Sequence, residues 1–259
     1  MSNEDLARRF GLESGEFYIT APAPCPYLKG REERKVFCYL QGHKAPAVNS
    51  ILSRRGFRRS QNIIYLPACD NCAACSPVRI VVDDFPLTRS RRRALSKNVD
   101  LLRRLRPARA TGQQFSVLRA YLDSRHGDGG MADMTVLDYA SMVEETAVDT
   151  MVIEYSLEDA NADQDGPLDQ GETLIACALT DRLSDGLSMV YSFFEPDAAP
   201  RSLGSFMILD HVALAKELGL PYVYLGYWVE GSPKMAYKAQ YQPLERLTPA
   251  GWVRMDKQV

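Results

Sequence analysis

Between residues 174 and 229 the hydrophobic pattern changes period twice, and that succession leaves few folds open. Residues 174–183 and 187–194 are β-type runs separated by Ser184, Asp185 and Gly186, a hairpin signal. SLGSFMILDHVALAKELG at 202–219 then shifts to helical spacing, with Phe206, Leu209, Val212, Ala213 and Leu218 along one side and Gly219 placed to stop the helix. PYVYLGYWV at 221–229 reads as a buried strand. Ser232 and Pro233 then predict a short helix with an N-cap and a proline at its first position. A hairpin, a helix, a strand, a helix and a final strand predict a mixed sheet with helices packed on it, and so the α+β class.

Upstream, from residue 17 to 82, the apolar runs are shorter and cut by Pro and Gly, with IIYL at 63–66 and VRIVV at 78–82 reading as strands of a small β-rich module. RSRRRALSKNVDLLRRLR at 89–106 places Leu95, Val99, Leu102 and Leu105 at helical spacing, which predicts one amphipathic helix with most of its arginines on the open face. Pro107 ends that helix, so a basic, cysteine-bearing domain over 1–106 and a second domain over 107–259 are expected. Helices through Leu118 and Tyr121 and over 139–145, a strand over 150–157 and an Asp-rich surface loop over 158–171 complete the reading.

The formal net charge of -2 hides an asymmetry: residues 1–110 hold 21 of the 31 Lys+Arg but only 10 of the 33 Asp+Glu. The N-terminal part therefore suits a polyanion, or it carries a solvated basic face with no partner. No run is long and apolar enough for a membrane span, and MSNEDLARRF lacks the apolar core of an export signal, so a cytoplasmic protein is expected. In that compartment six cysteines point to thiol or metal chemistry rather than to a disulfide framework. Cys69, Cys72 and Cys75 stand at steps of three, a spacing that can converge thiolates on zinc or an iron–sulfur cluster if a fourth ligand comes from elsewhere.

Two further places carry chemistry. Ser202, Gly204 and Ser205 lie where a loop gives way to a helix, which suits either a phosphate on free N–H groups or an ordinary capped start. Lys234 and Lys238, four apart like Tyr237 and Tyr241, are expected to share a helix face that holds an acidic group or remains solvated.

CPYLKGREERKVFCYL at 25–40, LSRRGFRRSQNIIYLPACDNCAACSPVRI at 52–80 and the stretch from SLGS to YQPLE at 202–245 resemble the aminoacyl-tRNA–protein transferases. The compact length is similar to the bacterial aspartate/glutamate leucyltransferases within that group. The resemblance runs from about residue 17 to the C-terminus and is most specific at RRGFRRSxxxxYxPxCxxC and GYWVxGSxKMxYK. It implies a small Cys-bearing N-terminal domain and a C-terminal domain like the acyltransferases of the GNAT superfamily. It also implies leucine passing from leucyl-tRNA to proteins that begin with Asp or Glu, which marks them for N-degron proteolysis.

In eukaryotic relatives the N-terminal cysteines hold an iron–sulfur cluster. Carried over, Cys25, Cys69, Cys72 and Cys75 are the matching thiols, although Leu28 stands where a second upstream cysteine belongs and spaced thiols replace an adjacent pair. Cys38 and Cys177, in apolar runs, are expected in the core. The donor ester is already activated, so the chemistry requires no cofactor, and positioning should supply most of the acceleration. Tyr227 and Glu230 are the candidates for a general base. Arg58, Arg59, Lys234, Tyr237 and Lys238 are the candidates for the acceptor carboxylate. Arg91, Arg92, Arg93, Arg103 and Arg104, with Ser202, Gly204 and Ser205, are the candidates for tRNA. His126, in RHGDGGM, resembles a family block that shapes the site or pins a loop. The alternatives are an arginyl donor with the same acceptors, an acetyl-CoA-dependent GNAT enzyme, and a non-catalytic zinc- or RNA-binding module.

Overall fold

The computed structural model describes residues 3–13, 15–125, 133–158 and 171–255. In chain order the N-terminal elements are α1 (Asn3–Arg9), β1 (Tyr18–Ile19), β2 (Ala23–Pro24), β3 (Glu32–Glu33), β4 (Lys35–Tyr39), α2 (Ala45–Arg54), β5 (Arg58–Ser60), β6 (Ile63–Pro67) and β7 (Cys75–Val81). There follow α3 (Arg89–Ser96), β8 (Leu101–Pro107), α4 (Gly112–Arg125), α5 (Val136–Glu144), β9 (Thr150–Glu158), β10 (Glu172–Leu183) and β11 (Gly186–Phe194). The chain ends with α6 (Leu203–Glu217), β12 (Tyr222–Val229), β13 (Leu244–Thr248) and β14 (Gly251–Arg254), with 3₁₀ turns at Pro196–Arg201 and Ala236–Gln240.

Eight strands form one mixed sheet in the order β14-β13-β7-β12-β11-β10-β9-β8. Period-2 alternation explains how β10 is buried on both faces. Ala176 and Ala178 face the layer of α6, with Phe206, Met207 and Val212, whereas Cys177 and Leu179 face α4 and α5 through Leu118, Leu122 and Tyr139. The α+β class expected from the pattern is the one observed. A second sheet, β1-β4-β6-β5, packs on α1 and α2 around Phe10, Leu52, Phe57 and Ile64. Cys38 and Cys177 are buried as expected. Among the described residues no helix is long and apolar enough to cross a membrane.

The structure corrects the reading of 89–106 as a single helix. Helix α3 stops at Ser96, where buried Asn98 donates to the carbonyls of Ala94 (2.8 Å) and Arg201 (2.9 Å), and the rest is the edge strand β8. A strand fits because its arginines alternate. Arg103 points to α6 and pairs with Asp210 and Glu217, while Arg104 and Arg106 point to the other face and pair with Glu172 and Glu154. These pairings are long-range, so local periodicity does not carry them. VRIVV likewise belongs to the large sheet, as β7 between β13 and β12, rather than to the small module. Residue 106 is thus no boundary between sheets, since β7 and β8 both precede it and both lie in the larger one. Ser232 and Pro233 begin a turn and not a capped α-helix. The later 3₁₀ turn leaves Lys234 exposed and Lys238 only 6% exposed, so the two share no face. His126 and most of the Asp-rich loop lie outside the described residues.

Candidate functional site

Parallel strands β11 and β12 pair only over Gly186–Ser188 against Tyr222–Tyr224, and β12 bulges against β7 between Tyr224 and Gly226. Beyond that point the two strands part, and their edges are open to a side chain. Arg58, on β5 of the smaller sheet, fills the gap. Its Nη2 donates to the Val190 carbonyl of β11 at 2.5 Å, and its Nη1 lies against Gly226 of β12. Gly226 is required there twice over: its φ is +75°, and a Cβ would sit 2.1 Å from Nη1. Nη1 is itself buried and has no hydrogen-bond partner. An unsatisfied buried donor costs about 1–3 kcal/mol, and more when charged, so such an atom calls for an anion.

Beside it stands Lys238. Its Nζ donates to the Tyr227 carbonyl at 2.7 Å, and among the described residues no carboxylate lies within ion-pair distance. Burial, and then the Arg58 charge, push its ammonium down to about 7. Tyr237 is 47% exposed, with its ring 5.9 Å from Nζ, so the amine lies one side chain below the surface. Lys234 is exposed and takes no part in this pair.

On the far side of the turn Ala236–Gln240 lies a cleft of about 780 Å³, between α3 and the start of α6. Ser202 and Ser205 line it, and Tyr241 donates to Ser205 Oγ at 3.0 Å. Ser202 is left-handed (φ 58°) and its side chain makes no capping bond, which leaves the first N–H groups of a fifteen-residue helix without that partner. Gly204 is not part of the lining. It faces Phe194, which its Cβ would meet at 3.4 Å.

Several sequence candidates have other work. Arg59 is buried and forms a two-pronged pair with Asp181 at 2.5 and 2.7 Å, so it is a structural link and not a substrate ligand. Arg91 is buried too, and donates to the carbonyls of Pro86, Gln240 and Gln242 while lying 3.8 Å over the Phe85 ring. It builds the cleft wall rather than meeting a phosphate. Arg103 and Arg104 are held by carboxylates. Arg92 and Arg93 remain on the exposed face of α3. The Tyr227 hydroxyl points to the carbonyls of Gly56 (3.0 Å) and Tyr65 (3.1 Å), and burial drives its ionisation far up, so it joins the two sheets and is no base. Glu230 is exposed just past the end of β12.

Cys25, Cys69, Cys72 and Cys75 do come near one another. Burial first, and the neighbouring thiols after it, push Cys75 up to about 11. Among the described residues, however, no three His, Cys, Asp or Glu side chains are arranged to hold a metal ion. The thiols as placed, with Cys69 Sγ donating to the Arg34 carbonyl at 3.7 Å, do not fit an iron–sulfur cluster or a zinc site. The raised Cys75 thiol is also a poor ligand as placed, because a metal takes the thiolate.

Residues 23–93 and 113–248 match the N-terminal and C-terminal family models described as arginine-tRNA-protein transferase. The chain belongs to that family. The aspartate/glutamate leucyltransferase of Rhodopseudomonas palustris (strain BisB18) is 58% identical over 94% of this chain and 93% of its own length. Those of Nitrobacter hamburgensis and Bradyrhizobium diazoefficiens are each 56% identical over 94% and 95% of this chain and 93% and 94% of theirs. Similar solved structures are distant. The C-terminal domain of a putative lysylphosphatidylglycerol synthetase from Agrobacterium fabrum superposes with TM-score 0.44 at 15% identity, covering 83% of this chain and 68% of that one. FemX does so with TM-score 0.44 at 9% identity, covering 77% and 64%.

What sequence reasoning missed in this family member is the anchoring of Arg58. Gly226 inside the GYWV block was its only local signal, and the Val190 carbonyl carried none.

Proposed function

We propose that this chain transfers leucine from leucyl-tRNA to the α-amine of proteins that begin with Asp or Glu, as a cytoplasmic enzyme whose product is marked for N-degron proteolysis. The observation that carries the site assignment is Arg58: a guanidinium anchored between β11 and β12 with Nη1 buried and unpartnered. A carboxylate one or two methylenes from the reacting amine is the group that would complete it. The names of the relatives, each at 56–58% identity, support the same acceptors and the leucyl donor.

The donor would approach from the cleft. Its phosphates are suited to the first N–H groups of α6, and the exposed Arg92 and Arg93 on α3 are suited to the RNA backbone. The ester carbon would then meet the acceptor amine near the strand gap, and positioning of that kind can supply roughly 7–11 kcal/mol.

Peptides differing only at the first residue (Asp, Glu, Asn, Gln, Ala), incubated with a pool of charged tRNAs and read by mass, test the reading. A leucine added to the Asp and Glu peptides alone is expected. Transfer to Ala as readily as to Asp overturns it. A second reading, arginine as donor, rests on the family's description, and an arginine mass shift in the same experiment would select it.

A further inference from the structure

Arg58 Nη1 lies against Gly226, and Lys238 Nζ bonds the carbonyl of the next residue, Tyr227, so a half-buried and a buried cation stand in one neighbourhood, where both cannot stay charged at low cost. A guanidinium does not give up its proton under these conditions, whereas a buried lysine amine does. Lys238 is therefore the partner that gives up its proton more easily, and its neutral form has a lone pair. Three phenols face the pair: Tyr237 from the turn carrying Lys238, Tyr227 from β12 and Tyr27 from the loop before β3. Burial pushes Tyr27 up to about 12 and raises Tyr227 and Tyr237, so none of these three competes for a proton near neutrality.

We propose that Lys238 is the general base of the transfer, and that the acceptor's own carboxylate, once bound at Arg58, makes it a stronger one. This rests on the assignment of Arg58 to the acceptor side chain. With the site empty, the guanidinium repels a proton from Nζ. A carboxylate placed on Arg58 cancels that repulsion, so the base gains proton affinity only when the correct acceptor is present. Asn and Gln leave the repulsion intact, and discrimination appears in kcat as well as in binding.

The step balances without a further reactant. Lys238 takes one proton from the acceptor ammonium, and the freed amine forms the C–N bond to the ester carbon as the C–O bond to the tRNA ribose breaks. The second proton on that nitrogen passes to the departing oxygen, which leaves as a hydroxyl. Lys238 then returns its proton to water.

The test uses the full chain. In the free protein the ε-carbon NMR signal of Lys238, assigned through Lys238→Arg, should titrate near 7. An Asp-initiated peptide should move that midpoint upward and an Asn-initiated one should not. Lys238→Met and Lys238→Arg should each lower kcat by about 10²–10⁴, the range of general-base catalysis, with tRNA affinity retained. Lys238→Arg decides between roles, since it can keep the bond to the Tyr227 carbonyl but cannot act as a base: recovery of kcat to within threefold of wild type would make Lys238 a structural prop. A midpoint above 9 in the free protein, or equal shifts with Asp and Asn peptides, also overturns the proposal. If wild-type protein modifies neither Asp nor Glu peptides, it is the function assigned above that fails, and the Lys238 titration in the free protein is a separate result.

Discussion

Replacing Arg59 by methionine separates a structural role from the acceptor-binding role that its sequence suggests. In the fold its guanidinium and the Asp181 carboxylate are each 1% exposed, joined at 2.5 and 2.7 Å, with Thr150 donating a third bond to the same carboxylate at 2.8 Å. Removing the cation leaves Asp181 buried with one hydroxyl partner, a change that costs about 3–5 kcal/mol. With an unfolding entropy of about 2.1 cal/mol/K per residue over 259 residues, that loss corresponds to roughly 6–9 °C in Tm. Urea titration and a thermal scan measure it, and leucylation of Asp- and Asn-initiated peptides below the transition measures function. The expected result is a large loss of stability with the Asp-over-Asn preference intact. The double change Arg59→Met with Asp181→Leu should recover much of the stability, because no charge is left unpaired. A variant as stable as wild type that has lost its acidic preference would refute the structural role.

The remaining expectations concern the site and its supports. Gly226→Ala should abolish transfer and destabilise the chain by at least about 1 kcal/mol, since its Cβ would collide with Arg58 Nη1; kinetics and denaturation check this together. Tyr227→Phe should cost about 1 kcal/mol of stability and leave the single-turnover rate within threefold, and a larger rate loss would return Tyr227 to the chemistry. Arg92→Ala with Arg93→Ala should flatten the slope of log tRNA affinity against log salt by about two contacts' worth. An unchanged slope would place the RNA elsewhere. His211 is fully buried, with Nε2 2.8 Å from Thr180 Oγ1 and Nδ1 2.6 Å from the Met207 carbonyl, and burial lowers it to about 4. An unfolded histidine near 6.5 binds protons that the folded one does not, so stability present above pH 6.5 is lost as pH falls toward 4, by on the order of 3 kcal/mol. His211→Gln should flatten that loss in a pH series of urea midpoints.

Much of the large sheet and its helices is legible in the chain because its signals are local. The hairpin around Asp185 and Gly186, the apolar side of α6 and the buried run of β12 each follow from periods of 2 or 3.6 residues and from turn chemistry within a dozen positions. The family blocks also contain Arg58 and Lys238, the two residues proposed here for the site. What the string could not decide is which cation is free. Arg58 and Arg59 are adjacent on β5, and strand alternation sends one to the gap between β11 and β12 and the other to a carboxylate 122 positions away. Lys234 and Lys238 look equivalent at helical spacing, yet a 3₁₀ turn buries one and leaves the other in water. The arginines of 89–106 look like one basic face, but ion pairs with α6, β9 and β10 take three of them into an edge strand. Charge and residue type are properties of the sequence. Whether a charge is paired, buried or left without a partner depends on contacts between residues far apart in the chain, and those contacts exist only once the two sheets have packed.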